Sequence, residues 1–315
     1  MQKIKVLIVG IGGVGGYYGG KLARTYAGSE SVEVHFLTRG ANLEQIRQYG
    51  LKIITSAETF NAIPCSVSDN AEDFGNVDYV LLCTKTYDLE SALQQIKPCI
   101  KEETVIVPLL NGVGNEVLIR GVYENSHIAP GCTYLVSRLT AAGEVSNTGN
   151  IQKIFFGSED VPLELLSKLE TLFREAQIDA KRCDDIQSIL WEKFIFLSPT
   201  ATATSYYDQT LGALFEDPEK VESIRQLIGE VHSLAQHNKI NLPENIVELT
   251  LTKMKSLPYD TTSSMHSDFK SGKGKTELES LTGYVVRESI SLNLTQKMYP
   301  KMYEYLHSKG GRILP

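Results

Sequence analysis

Long apolar runs, cysteine pairs and an excess of positive charge are all missing from this sequence, and each absence narrows what it encodes. No apolar stretch approaches the roughly 20 residues that span a bilayer, so no membrane partner is expected. The first apolar run is short and broken by glycine, unlike a signal peptide. With 31 Lys and Arg against 38 Asp and Glu, the net charge of −7 argues against binding nucleic acid or an anionic membrane. An anionic small molecule stays open, since local positive charge is enough for it. Cys65, Cys83, Cys99, Cys132 and Cys183 are odd in number and form no C-x-x-C pair. That scatter predicts reduced, mostly structural thiols in a cytoplasm, with neither a disulfide framework nor a metal site.

At 315 residues, 42% hydrophobic and 22% charged, the composition is that of a globular enzyme with two domains rather than one core. The most informative segment is the first. Lys3 to Val9 is aliphatic and β-branched, as a strand buried on both faces must be. It runs into Gly10-Ile11-Gly12-Gly13-Val14-Gly15, and Tyr17 to Tyr26 then reads as a helix. In a strand–loop–helix unit this G-x-G-x-x-G spacing has a mechanical meaning. Gly10 allows the tight turn, Gly12 admits a pyrophosphate to the backbone, and Gly15 lets helix and strand pack closely. The helix N-terminus offers N–H groups and a positive dipole end to the phosphates. A dinucleotide site over Gly10, Gly12, Gly13, Val14 and Gly15 is expected.

Further along, Val32 to Leu37, Val77 to Cys83 and Thr104 to Leu110 read as strands, with helical segments such as Ser91 to Ile96 between them. That alternation predicts an α/β fold with a Rossmann-type, doubly wound parallel sheet. Cys132 to Phe156 reads as antiparallel edge strands closing that domain, Pro162 opens a helix, and Ile178 to Lys181 is a last strand. From Asp184 onward strand patterns vanish. Helical periodicity covers Ile186 to Leu197, Pro218 to Asn238 and Glu277 to Ser291. Residues 1–183 are therefore assigned to a cofactor-binding domain and 184–315 to an all-helical substrate domain.

The second strand ends in Leu37-Thr38-Arg39-Gly40. A carboxylate there would select NAD by binding the ribose 2′-hydroxyl. Arg39 instead suits a 2′-phosphate, being planar, permanently charged and able to bind oxyanions bidentately, so NADP is expected. The alternative is a solvated loop arginine. At successive strand ends stand Cys83-Thr84-Lys85-Thr86 and Leu110-Asn111-Gly112-Val113-Gly114. Singly, Lys85 is a surface lysine and Asn111-Gly112 a turn; together, at the usual ligand edge of such a sheet, they form a candidate pair. In the helical half, Lys193 lies among Ile189, Phe194, Phe196 and Leu197. It either snorkels to water or sits in a cleft, where desolvation lowers its pKa towards proton-transfer range. Ser264, Thr276 and Glu277 read as a loop hydroxyl, a helix cap and a first-turn acid, and His266 as a structural histidine with no visible partner.

Taken in order, these pieces resemble the ketopantoate reductase family over essentially the whole chain. The resemblance rests on the glycine loop, T-K at Lys85, N-G-x-G at Asn111, W-x-K at Lys193, S-S-M-x-x-D from Ser263 to Asp268 and T-E at Glu277. The run Gly283 to Val286 and Tyr299-Pro300 add to it. It implies NADPH-dependent reduction of 2-dehydropantoate to (R)-pantoate, in pantothenate and coenzyme A supply. It further implies Lys193 as general acid, with Glu277 near that lysine and the cofactor. Asn111 and Ser264 would hold substrate, with Lys85 between cofactor and substrate regions; Lys85, Asn111 and Glu277 would also meet the cofactor. By analogy, a homodimer formed through the helical domain is expected.

Two positions depart from the family. Leu197 and Ala201 stand where asparagines are usual, and Asp268 to Glu277 is one residue longer around Gly272-Lys273-Gly274-Lys275. Losing a substrate-contacting amide changes specificity strongly, so reduction of a different 2-oxo acid is the alternative. A non-catalytic NADP(H)-binding protein is the third reading, and it would need neither Lys193 nor Glu277.

Overall fold

The computed structural model describes residues 3–272 and 274–310, which group into two compact units. The first comprises the described residues up to Leu110 together with Asn115–Ile186; the second comprises Asn111–Gly114 and those from Gln187 on. Asn111–Gly114 thus belong with the helical unit although the chain on both sides of them belongs with the sheets. A boundary drawn along the chain at 183/184 does not register that excursion.

In the first unit the strands are β1 (Ile4–Val9), β2 (Val32–Leu37), β3 (Leu51–Ile54), β4 (Thr59–Ala62), β5 (Ser66–Ser68), β6 (Tyr79–Leu82), β7 (Val105–Pro108), β8 (His127–Ile128), β9 (Gly131–Ala141), β10 (Glu144–Phe156) and β11 (Asp179–Arg182). Its helices are α1 (Gly13–Thr25), α2 (Gly40–Tyr49), α3 (Leu89–Gln95), α4 (Asn115–Arg120) and α5 (Leu163–Glu175). One sheet has the order β5-β2-β1-β6-β7-β8, and every pairing in it is parallel. Successive side chains on a strand face opposite ways, and β1 shows the consequence. Val6 and Ile8 enter a core shared with Tyr18 and Leu22 of α1 and Leu169 of α5. Leu7 and Val9 enter a second core with Leu93 of α3 and Ile119 of α4. Both faces are covered, which is the condition a parallel sheet requires.

The expectation of edge strands over Cys132 to Phe156 needs correcting. β9 and β10 do form an antiparallel hairpin, but it belongs to a separate sheet of order β11-β10-β3-β4, with β9 on β10. There β10 is central, because its first half takes β3 as a parallel neighbour and its second half takes β11. β3 and β4 are four residues each, too short for periodicity to mark them. Helix α1 packs its Tyr17, Tyr18 and Leu22 between Ile8 of the first sheet and Ile53 and Val145 of the second.

The second unit holds α6 (Ile186–Tyr207), α7 (Leu211–Phe215), α8 (Pro218–His237), α9 (Ile246–Lys255), α10 (Ser264–Ser271), α11 (Tyr284–Ser291) and α12 (Met298–Gly310). Helical periodicity over Glu277 to Ser291 resolves into a π-helical turn, Glu279–Gly283, leading into α11. Helix α6 is its spine. The sequence pattern ended this helix at Leu197, yet it runs for 22 residues straight through Pro199. An internal proline costs about 3 kcal/mol or more in a helix. Here the Thr200 hydroxyl donates to the Phe196 carbonyl at 2.7 Å and the Thr204 hydroxyl to the Thr200 carbonyl at 2.7 Å. Those hydroxyls bond carbonyls on either side of the proline rather than the Ile195 carbonyl it leaves without a donor, and burial of Phe194, Ile195, Ala201 and Ala203 holds the helix in place.

Candidate functional site

The glycine loop has the shape its spacing demands. Gly10 has φ +89°, and a Cβ there would meet the Thr84 nitrogen at 3.0 Å. A Cβ on Gly15 would lie 2.2 Å from the Gly10 carbonyl oxygen, so only glycine lets α1 start this close to β1. Gly12 differs, since nothing stands within 4 Å of its missing Cβ. It caps α1 without a side-chain hydrogen bond, and the first turn carries no acid. The backbone at Gly12, at the start of α1, therefore stands open as a bound pyrophosphate requires, while Gly13 is closely approached by the Ser137 carbonyl. Beside it, the Thr84 hydroxyl oxygen is buried with no hydrogen-bond partner among the described residues, a polar atom a nucleotide can satisfy.

Arg39 caps α2 with extended backbone. Its side chain is 81% exposed, and its guanidinium stands 3.9 Å from Asp88. β2 itself runs into Thr38-Arg39 with no Asp or Glu, and the carboxylate beside Arg39 comes from Asp88. Lys85 lies after β6 and caps the 3-10 turn Thr86–Asp88. A residue that pattern reading passed over organises this end of the sheet. Asn42, inside α2, donates to the Ile11 carbonyl and to the Thr38 hydroxyl at 3.1 Å each, and accepts from the Gly143 N–H at 2.7 Å. One amide thus joins the glycine loop, the end of β2 and the β9–β10 turn. Asparagine is a poor residue for a helix interior, and that misfit is the one signal that could have found it.

In the second unit Lys193 and Asn111, 82 residues apart in the chain, meet directly: Lys193 Nζ donates to Asn111 Oδ1 at 3.1 Å. Lys193 is half-buried on α6, next to Trp191 and Phe194, which stack edge to face with each other and with Tyr284. Tyr284 also closes over the N-G-x-G turn, because a Cβ on Gly114 would come 2.8 Å from its ring. One of the three ammonium donors is committed to Asn111, which fixes the direction of the group.

Ser264 is the exposed first residue of α10, and Ser263 before it accepts the His266 N–H as N-cap. Glu277 is buried, 2% exposed, just ahead of the π-helical turn. His266 does have partners: its Nε2 meets Asp208 Oδ1 at 2.7 Å, and its Nδ1 the Thr262 hydroxyl. That ring ties the start of α10 to Asp208, just after the end of α6. The longer stretch between Asp268 and Glu277 includes Lys273, which lies outside the described residues. Buried hydroxyls tie α6 to its surroundings. Ser198 bonds Tyr299 at 2.6 Å, Thr202 bonds Thr282 at 2.8 Å, and Thr204 bonds Ser263 at 3.0 Å. Leu197, one turn after Lys193, is half-buried and packs on the apolar core.

Known proteins share this sequence pattern and this fold. The family model described as "Ketopantoate reductase PanE/ApbA" matches residues 6–160, and its C-terminal counterpart matches residues 185–309. The crystal structure of a 2-dehydropantoate 2-reductase from Porphyromonas gingivalis W83 is 34% identical with a TM-score of 0.84, covering 97% of this chain and 99% of that one. An uncharacterised oxidoreductase of Bacillus subtilis, YkpB, is 27% identical over 304 residues, 96% of this chain and 98% of its own length. The 2-dehydropantoate 2-reductase of Aquifex aeolicus is also 27% identical, over 90% of this chain and 89% of its own.

Proposed function

The chain belongs to the ketopantoate reductase family of oxidoreductases, and from that premise we propose that it reduces 2-dehydropantoate to (R)-pantoate with NADPH, in the cytoplasm. The observation that carries this reading is the Lys193–Asn111 hydrogen bond. Reducing a ketone builds negative charge on the carbonyl oxygen, and a positioned ammonium both stabilises that charge and supplies the proton. Lys193 is the general acid: its N–H bond breaks as the new O–H bond forms. Asn111 orients the ammonium, and Ser264 and Lys85 bind substrate. Glu277, a buried carboxylate, helps keep the lysine charged.

NADPH, when bound, supplies the hydride. The residues that hold it are Gly10, Gly12, Gly13, Val14 and Gly15 at the pyrophosphate and Arg39 at the 2′-phosphate. Lys85, Asn111 and Glu277 would also meet the cofactor, so phosphate binding falls to the first domain and proton chemistry to the second. A second reading, another 2-oxo acid as substrate, is favoured by Leu197, an apolar group one turn from the proton donor where the family has an amide.

Steady-state NADPH oxidation with 2-dehydropantoate and a panel of 2-oxo acids tests both. The highest kcat/KM is expected for 2-dehydropantoate. A higher value for another acid would replace the substrate and keep the chemistry; no turnover with any of them would remove the reductase reading.

A further inference from the structure

Away from the glycine loop, the sheet edge brings together three residues that share no sequence motif. Glu33 and His35 lie two apart on β2, on one face of the strand. Cys65 immediately precedes β5, which pairs with β2 so that His35 stands opposite Ser66. A carboxylate oxygen, an imidazole nitrogen and the Cys65 sulfur all lie within 4.8 Å of one another.

From this juxtaposition we propose a binding site for a borderline divalent cation, Zn²⁺ foremost, with Glu33, His35 and Cys65 as ligands and a water in the fourth position. The imidazole is the strongest argument. His35 is 5% exposed, and its Nε2 has no hydrogen-bond partner among the described residues. That nitrogen stands 3.5 Å from Glu33 Oε2, about the spacing of two ligand atoms on a tetrahedral ion with bonds of roughly 2.0–2.1 Å. Its other nitrogen, Nδ1, meets the Ser66 hydroxyl at 2.8 Å. A metal-bound histidine characteristically donates its second N–H in this way, which fixes the tautomer and aims the free lone pair. In the tautomer whose Nδ1–H donates to the Ser66 hydroxyl, Nε2 turns a lone pair towards Glu33 Oε2, and a cation would bridge the two; in the other tautomer the cation takes the place of the Nε2 proton.

The charges around the site are mixed. Lys3 Nζ is 3.2 Å from Glu33 Oε1, which leaves Oε2 as the oxygen turned to His35. Lys5 on the neighbouring strand donates instead to the Phe74 carbonyl at 2.9 Å. The donor set of sulfur, nitrogen and oxygen disfavours Mg²⁺ and Ca²⁺, which take oxygen ligands, and suits Zn²⁺. Binding forms the sulfur–metal bond as the thiol proton leaves to solvent. Such an ion would clamp β5 to β2, at the end of β2 opposite Thr38 and Arg39.

The test uses the full chain stripped with a chelator, then titrated with Zn²⁺ by calorimetry and with Co²⁺ as an optical probe. Saturable binding of one ion, a thiolate-to-cobalt absorption band and a Zn²⁺-dependent rise in melting temperature are expected. Cys65→Ser, at an exposed position, should abolish the band and weaken Zn²⁺ at least tenfold while leaving the metal-free melting temperature unchanged. Ser66→Ala keeps all three ligands and should weaken binding roughly 10- to 100-fold through loss of the histidine's orientation. Absence of saturable binding in the wild-type chain overturns the proposal. So does a band that survives Cys65→Ser, which would put the metal on another cysteine.

Discussion

The two units present polar groups in opposite ways. In the first, the candidate cofactor site is mostly backbone: Gly12, Gly13 and Val14 at the start of α1, with glycine required because neighbouring backbone comes within 2.2 Å of a Cβ at Gly15. In the second, the candidate chemistry is side chain on side chain, with Lys193 on Asn111 and a buried series of hydroxyls along α6. A backbone site recognises what all its ligands share, here phosphate. A side-chain site discriminates, because each group must be matched or left unpaired at a cost. On the proposed reading, phosphate recognition rests on the first unit's backbone, and discrimination between substrates rests largely on side chains of the second.

The sharpest way to break this contrast is Lys193→Ala. Loss of a general acid lowers kcat by about 10²- to 10⁴-fold, with NADPH binding, followed by fluorescence titration, unchanged. Comparable loss of cofactor affinity would show that the division of labour is wrong. Next in size is Arg39→Ala. Losing charge-assisted hydrogen bonds to a 2′-phosphate, worth about 1.5–3 kcal/mol, should weaken NADPH roughly 10- to 100-fold and leave NADH alone. Equal weakening of both cofactors would assign Arg39 to the fold instead. Asn42→Ala follows, with an expected loss of about 2–3 kcal/mol in urea unfolding, since the Gly143 N–H and the Ile11 carbonyl both lose a partner. Unchanged stability would mean that water replaces the amide, and the loop's order would need another source.

How much of this could be read from the chain follows the same line. The glycine loop was legible because one strand, one turn and one helix lie within consecutive residues, so spacing alone sets geometry. β6 and β7 were legible as continuous apolar runs buried on both faces, and β2 as a β-branched and aromatic run interrupted by Glu33 and His35. β3, β4 and β5 were not, because three or four residues with mixed exposure carry no period. The end of α6 is not legible because apolar periodicity fades after Leu197, where Pro199 and a run of buried hydroxyl residues continue the helix. Lys193 and Asn111 each stand out by local pattern, but their bond joins residues 82 apart and needs the excursion of Asn111–Gly114 into the helical unit. His266 lacked a partner in the sequence for the same reason, Asp208 being 58 residues away.

The smallest effect tests whether the hydroxyls along α6 act as matched pairs. Thr202 and Thr282 are both fully buried and bond each other at 2.8 Å. Thr202→Val keeps the shape but strands the Thr282 hydroxyl away from water, costing about 1–2 kcal/mol. Replacing both threonines by valine removes donor and acceptor together, so the double variant should be more stable than the sum of the single losses. Tyr299, whose phenol is pushed above its ordinary range by burial, stays protonated and keeps Ser198 as its partner at 2.6 Å. The unfolding free energies of the four proteins form a closed cycle. A coupling indistinguishable from zero would show that the pair only fills space, and that the second unit's specificity is confined to the immediate surroundings of Lys193.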